Sequence, residues 1–382
     1  MANQEFLRQL PGSDYHLKSR RSLLFRLHID PILLVLILTL SITGLFVLYS
    51  GSGESMVHVQ KQAMRFMLAF VVMIVFAQLD PSVYRRWAPW LFVMGLMALA
   101  AVLVMGTGAK GAQRWLQLPG LPRFQPSEFM KLAVPMMVAW YLSERYLPPQ
   151  LKHVFGSLLL IFMPVVLVIK QPDLGTSLLI AASGIFVLLL AGISGKLVGG
   201  FIASVAALVP VMWMFVMRDY QKQRVLTLID PEKDPLGAGW NIIQSKTAIG
   251  SGGMTGKGWL EGTQSQLDFL PESHTDFIIA VLAEEFGFVG VVLLVLLYVL
   301  IVARGLFIAV NAQDSFGRML AGSLTLTFFV YVFVNIGMVS GLLPVVGVPL
   351  PLVSYGGTSI VTLMAAFGVL MSIHTHKKML GK

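Results

Sequence analysis

The 382-residue sequence is 56% hydrophobic and only 12% charged, and its mean hydropathy is +0.77. Soluble domains carry about 25% charged residues, so this composition excludes an ordinary soluble enzyme, and the 24 Phe and 7 Trp exclude a disordered chain. The chain has no Cys, which excludes disulfides and cysteine chemistry. The net charge of +9 is explained more simply by membrane topology than by nucleic acid, and we expect no nucleic-acid partner.

Ten apolar segments are candidates for membrane helices, each of which needs about 20 mostly apolar residues. They cover residues 31–49, 65–78, 87–105, 129–147, 154–169, 176–191, 197–217, 277–303, 319–341 and 359–373. The second and fifth are short, so we expect these helices either to be tilted differently or to be extended by polar residues. The sequence therefore predicts an all-α polytopic membrane protein with about ten transmembrane helices, forming a single membrane domain over residues 1–382.

The distribution of Lys and Arg predicts the orientation of the helices. Residues 1–30 are polar and cationic, which is typical of a cytoplasmic tail. With this tail inside, cytoplasmic segments hold about 15 of the 28 cations, as the positive-inside rule requires. Ten spans then place both termini in the cytoplasm.

One connection, residues 218–275, is far longer than the rest. Loops of this length either serve a function or are disordered. This one carries Trp240, Ile242 and Trp259 among its glycines and prolines, so we expect a large ordered extracytoplasmic loop.

Asp276 stands where this loop meets an apolar run. Ser273 or Thr275 is a natural N-cap, which would place Asp276 in the first helical turn. There its carboxylate either complements the helix dipole or acts as a general base at the mouth of a membrane cavity. The dipole favours the ionised form and so weakens the base. Glu285, about two turns into the helix, is costly in an apolar setting and should face a partner or a wet cavity.

A second group of charges surrounds the third connection. Lys110, Arg114 and Lys131 are candidates for a cationic site that binds phosphate or pyrophosphate. Glu128 and Lys131 are three residues apart, and a local ion pair explains them equally well. Trp115 suits either a sugar face or the membrane interface, which is the commoner place for Trp.

Two further segments have ambiguous patterns. Asp173 precedes a helix, where it serves either as an N-cap or as a second carboxylate facing the same cavity. The Gly- and Pro-rich stretch at 341–357 predicts broken backbone, which is tolerated at membrane depth only when it is buried or lines a cavity. Residues 230–241 favour turns, and no residue pattern typical of a metal site occurs.

Six sequence blocks together resemble one family. They are Gln-Pro-Ser-Glu-Phe-Met-Lys at 125–131, Gln-Pro-Asp-Leu-Gly-Thr at 171–176, Trp-Asn-Ile-Ile-Gln-Ser at 240–245, Ala-Ile-Gly-Ser-Gly-Gly at 248–253, Pro-Glu-Ser-His-Thr-Asp-Phe at 271–277 and Pro-Leu-Pro-Leu-Val-Ser-Tyr-Gly-Gly at 349–357. This combination is similar to the SEDS family (shape, elongation, division and sporulation) over nearly the whole chain. The short N-terminal tail and residues 264–272 favour the elongation branch over the division branch.

The resemblance implies a peptidoglycan glycosyltransferase of the bacterial cytoplasmic membrane. Such an enzyme polymerises lipid II outside the membrane, releases undecaprenyl pyrophosphate, and works with a class B penicillin-binding protein transpeptidase and other elongation-complex membrane proteins. The family's catalytic aspartate falls on Asp276, its Arg-Trp pair on Arg114 and Trp115, and its Glu/Lys pair on Glu128 and Lys131.

Three alternatives to the elongation enzyme stay open from the sequence. They are a lipid II flippase, a division-type polymerase and a scaffold that only recruits the transpeptidase. A requirement for a divalent cation, Mg or Mn, is also left open.

Overall fold

The computed structural model describes residues 27–109, 112–117, 123–217, 219–233, 238–266 and 273–376. Two earlier predictions, Lys110 and most of the N-terminal tail, lie outside these residues. Within these ranges the thirteen α-helices are α1 (Pro31–Gly51), α2 (Met56–Gln78), α3 (Pro81–Met105), α4 (Pro126–Ser143), α5 (Leu151–Lys170), α6 (Leu174–Leu190), α7 (Gly195–Val211), α8 (Asp219–Ile229), α9 (Ala238–Ser251), α10 (Thr263–Gln266), α11 (Ile278–Val310), α12 (Ser315–Val339) and α13 (Thr358–Thr375).

The prediction of an all-α polytopic membrane protein is confirmed. Each of the ten predicted spans overlaps a helix, α1–α7 or α11–α13. Among the described residues, seven of these helices are long and apolar enough to cross a membrane, and α6 is a shorter apolar helix. A small antiparallel hairpin, β1 (Thr107–Ala109) and β2 (Ala112–Trp115), is an addition that the apolar pattern did not predict.

Several helices are longer than the apolar pattern indicated. The second starts at Met56, nine residues before the predicted start, and the fifth covers Leu151–Lys170, so polar residues extend both helices, which is one of the two expected alternatives. The eighth span continues to Val310 instead of ending at residue 303. In α2 the polar extension contains Gln62, whose side chain is buried in the bundle. Its surroundings in the bundle compensate for the polar character of this side chain.

The two ends of the described chain meet at one end of the bundle. The His28 and His376 rings stack at 3.7 Å, and Arg304 of α11 forms a 2.6 Å ion pair with Asp30, the N-cap of α1. Helix α1 then runs for 21 residues, roughly 30 Å, to Gly51, whose carbonyl accepts a hydrogen bond from the Ser273 hydroxyl. The segment that carries Asp276 therefore lies at the opposite end of α1 from the two described ends.

The long loop is joined to α11 by backbone hydrogen bonds. Helices α8, α9 and α10 belong to this loop, and the backbone N–H groups of Phe288 and Val289 donate to the carbonyls of Gly253 and Met254 at 2.9 and 3.1 Å. The α11 helix is interrupted there, at Gly287, where φ is 64° and ψ is −161°. The loop thus supplies hydrogen bonds that the interrupted helix lacks.

Gly287→Ala is expected to destabilise the protein by about 1–3 kcal/mol, because this backbone conformation is essentially restricted to glycine. A Cβ at Gly287 would also lie 2.3 Å from the Gly256 amide nitrogen. Thermal unfolding of the purified chain measures the effect. Gly250→Ala is the matched control, since a Cβ at this helical position meets nothing within 4 Å and should leave stability unchanged or slightly higher. Equal melting temperatures for the two variants would contradict the prediction.

Candidate active site

Three helices begin at one cavity of about 260 Å³. Its wall includes Gln125, Asp173 and Gly357, which are the N-cap residues of α4, α6 and α13. A helix N-terminus carries partial positive charge from its unpaired N–H groups. The cavity is therefore surrounded by three backbone dipoles that favour an anion.

Arg114 reaches the cavity from the β-hairpin. It lies on β2, its Nη2 donates to the Pro172 carbonyl at 2.5 Å, and its Nη1 lies 3.8 Å from the Asp173 carboxylate. Trp115, the next residue, also lines the cavity. The hairpin thus delivers both members of the Arg-Trp pair to one site, while Lys110 lies outside the described residues.

Asp173 combines the two roles that its sequence left open. One carboxylate oxygen accepts from the Thr176 amide at 3.2 Å and so caps α6, and the other accepts from Gln125 Nε2 at 3.2 Å. The same side chain faces the cavity and pairs with Arg114. It therefore fixes the position of the guanidinium beside the cavity.

Glu128 and Lys131 form a buried ion pair in the cavity wall. Lys131 Nζ lies 2.6 Å from Glu128 Oε1, and each residue is less than 10% exposed. The Lys131 ammonium also contacts the Tyr331 hydroxyl, and Thr362 Oγ1 lies 3.4 Å from Glu128 Oε2. The local ion pair predicted from the three-residue spacing is present, and both partners also border the cavity.

Asp276 precedes α11 instead of lying in its first turn, which corrects the sequence prediction. The N-cap residue is Phe277, and residues 273–277 form a turn. The predicted cap Ser273 uses its hydroxyl to donate to the Gly51 carbonyl, and the Thr275 carbonyl accepts from the Ser354 hydroxyl at 2.5 Å. These tertiary contacts hold the segment out of helical geometry.

The Asp276 carboxylate lies against the cavity wall at Gly347. Gly347 lines the cavity, and a Cβ built on it would lie 3.5 Å from Asp276 Oδ2. Asn335 Nδ2 donates to the carbonyls of Asp276 at 2.9 Å and of Val348 at 2.7 Å, so one amide joins the Asp276 segment to that wall. Arg114, Lys131 and Gly347 thus line one hollow, and the Asp276 carboxylate lies next to Gly347.

The Gly- and Pro-rich segment between α12 and α13 is irregular and packed inside the bundle, as predicted. Leu350, Leu352 and Ser354 are buried, and the Tyr298 hydroxyl donates to the Pro351 carbonyl at 2.7 Å. Because protein surrounds this segment, its backbone polar groups have partners without a regular helix. Residues 347–349 in its middle and 356–357 at its C-terminal end line the cavity.

Glu284 and Glu285 lie in a different cluster, where α11 meets the long loop. Glu284 Oε1 accepts from Lys257 Nζ at 2.7 Å and from the Thr263 amide at 2.8 Å, and Glu285 accepts from the Ser50 hydroxyl. Glu285 lies deep in an apolar helix and has the hydrogen-bond partner that this position was expected to need. It does not line the cavity. The contacts of Glu284 with Lys257 and Thr263 anchor the loop.

Tyr331 and Asn335, which contact Lys131 and the Asp276 backbone, were not predicted as site residues. Their four-residue spacing inside an apolar span was a signal, because it places two polar side chains on one helix face. Among the described residues, no three His, Asp or Glu side chains are grouped closely enough to hold a metal ion.

Comparisons with known proteins identify the family. Residues 24–379 match the family model for cell cycle proteins of the FtsW, RodA and SpoVE type. The chain is 57% identical to the peptidoglycan glycosyltransferase MrdB of Escherichia coli K12, over 94% of this chain and 96% of that protein. It is 36% identical to a probable peptidoglycan glycosyltransferase FtsW of Trichlorobacter lovleyi, over 92% of this chain and 94% of that one.

Two solved structures share the fold. A chain from a peptidoglycan synthase complex, described as coordinating polymerization and crosslinking, superimposes with a TM-score of 0.80 at 31% identity, covering 90% of this chain and 97% of its own. The rod shape determining protein RodA of Thermus thermophilus gives a TM-score of 0.68 at 27% identity, covering 91% and 98%. The family match spans nearly the whole chain, and the chain therefore belongs to the SEDS family of FtsW, RodA and SpoVE proteins.

Proposed function

We propose that this chain polymerises lipid II into β-1,4 glycan during cell elongation, at the cavity where α4, α6 and α13 begin. It is a peptidoglycan glycosyltransferase, as its 57% identity to MrdB over 94% of the chain supports. The observation that supports the choice of site is that the Asp276 carboxylate lies next to Gly347, which lines the same cavity as Arg114 and Lys131.

In this proposal Asp276 is the general base. It accepts the proton of the GlcNAc 4-hydroxyl of one lipid II as that oxygen attacks C1 of MurNAc in another. The bond from C1 to the pyrophosphate oxygen breaks, and the electron pair leaves with undecaprenyl pyrophosphate. Attack opposite an α-linked leaving group inverts C1 and gives the β linkage.

The cationic side of the cavity suits the leaving group. Pyrophosphate is already a stable anion, so it needs positive charge and no proton donor. Arg114 and Lys131 supply two cations, and Asp173 and Glu128 hold them in place. Trp115 offers a flat apolar surface for a sugar ring beside these charges.

The chain is a multi-pass protein of the inner membrane, and we propose that both termini face the cytoplasm while the cavity faces outside. The structural likeness to a chain of a complex that polymerises and crosslinks supports a transpeptidase partner. We propose a class B penicillin-binding protein, with other elongation-complex membrane proteins as further partners.

A polymerisation assay in detergent tests the proposed function against the flippase alternative. Lipid II is supplied to the purified chain in micelles, alone and with the transpeptidase, and products are separated by length on a gel. We expect glycan strands, because polymerisation needs no second leaflet. Lipid II translocation in vesicles without any glycan in micelles would favour the flippase, and inactivity in both assays would favour a scaffold.

A further inference from the structure

Three polar side chains follow one face of the apolar helix α2. His58, Gln62 and Arg65 are spaced at i, i+4 and i+7, which places them above one another. Gln62 is 1% exposed, and Arg65 is half-buried. Burying an amide and a guanidinium costs free energy unless both are paired, so their partners identify what this face does.

The partners lie in the irregular segment 354–357. Gln62 uses both ends of its amide: Nε2 donates to the Ser354 carbonyl at 3.1 Å, and Oε1 accepts from the Gly356 amide at 3.4 Å. Arg65 Nη1 donates to the Gly356 carbonyl at 3.1 Å, and its guanidinium lies 4.4 Å from the centre of the Tyr355 ring. Two side chains of α2 therefore hold three consecutive residues of this segment.

The same segment touches both parts of the candidate site. Gly356 and Gly357 line the cavity. In the other direction, the Ser354 hydroxyl donates to the Thr275 carbonyl at 2.5 Å, and the Tyr355 amide donates to the His274 carbonyl at 2.9 Å. Both acceptors lie within two residues of Asp276, so hydrogen bonds connect α2, the cavity wall and the backbone that carries the general base.

We propose that Gln62 and Arg65, together the α2 clamp, are positioning residues for glycan polymerisation. They hold segment 354–357, and through it the Asp276 carboxylate, at the cavity. This inference rests on the proposed function. Segment 354–357 has no helical or strand ladder of its own, so its position depends on side-chain partners. A displacement of a reacting group by about 1 Å costs roughly 100-fold in rate.

The alternative role for Arg65 is a direct contact with the pyrophosphate across Gly357, since a Cβ at Gly357 would lie 4.0 Å from Arg65 Nε. The two roles have different kinetic signatures. Loss of a contact made equally to bound substrate and transition state raises KM, whereas loss of positioning lowers kcat. Gln62 is uncharged, so its variants report on positioning alone.

The test measures kcat and KM for lipid II with the full chain in detergent, bound to its transpeptidase. We expect Gln62→Leu and Arg65→Met to lower kcat about 10- to 100-fold with KM unchanged, in protein that remains folded. Arg65→Lys should recover part of the loss, because an ammonium can still donate to the Gly356 carbonyl. Lys61→Met is the matched control: it removes a cation from an exposed neighbouring position and should behave as wild type.

If Gln62→Leu does not fold, Gln62→Met replaces it, because methionine has nearly the length of glutamine, adds no charge and lacks the amide that holds segment 354–357. Normal kcat in the Gln62 variant, or a raised KM at normal kcat in the Arg65 variants, overturns the α2 clamp. These results are distinct from failure of the proposed function itself, which would appear as a wild-type enzyme that makes no glycan or an Asp276→Asn enzyme that does.

Discussion

Asp276→Asn is expected to lower the rate of glycan polymerisation by about 10²- to 10⁴-fold, the range that a positioned general base contributes. Asparagine has nearly the same shape, but its amide cannot accept the proton of a sugar hydroxyl at neutral pH. The contact that joins Asp276 to Asn335 uses the Asp276 backbone carbonyl, so the substitution leaves it in place. The loss should therefore appear in catalysis and leave the fold intact.

The measurement is the rate of glycan formation from lipid II, with expression, melting temperature and transpeptidase co-purification as measures of folding. Asp219→Asn is the matched control, because Asp219 is an exposed residue of α8 in the same loop. The control should polymerise normally. Near-normal polymerisation by Asp276→Asn would remove this carboxylate from the role of base.

The sequence predicted the helices well because the signal for a membrane span is long and local. An apolar run of about 20 residues needs no tertiary information, and the ten runs all appear as helices. The hairpin formed by β1 and β2 was not predicted, because strands of three and four residues are too short to show a periodic pattern. The extension of α2 was expected, but the apolar pattern could not give its starting residue, because Gln62 is stabilised by segment 354–357, nearly 300 residues away.

The site was predictable where its contacts are local. The three-residue spacing of Glu128 and Lys131 predicted their ion pair, and Asp173 was recognised as an N-cap. Its pairing with Arg114, 59 residues away, depends on how the hairpin packs and had no local signal.

The N-cap prediction for α11 was wrong for the same reason. It treated the Ser273 hydroxyl as free to cap the helix, whereas α1 offers it the Gly51 carbonyl. A local pattern identifies a residue that is able to cap, but the tertiary fold decides which acceptor its side chain finds.

Breaking the Glu128–Lys131 pair from one side is the second large expected effect. Lys131→Met leaves the Glu128 carboxylate without its ammonium partner, and Glu128→Gln leaves Lys131 with the neutral Tyr331 hydroxyl. Removing one partner of a buried ion pair typically costs about 3–5 kcal/mol, because the remaining charge is uncompensated. Each single variant should unfold at a clearly lower temperature than wild type.

The double variant Glu128→Gln/Lys131→Met separates stability from function. Replacing both charges removes the uncompensated ion, so stability should return close to wild type. Polymerisation should stay low, because the double variant lacks the Lys131 ammonium that would face the pyrophosphate at the cavity. Thermal unfolding and lipid II polymerisation of the three variants are measured side by side. A double variant that regains both stability and activity would show that the pair only holds α4 in the bundle, and the leaving-group charge would then fall to Arg114 and the helix N-termini.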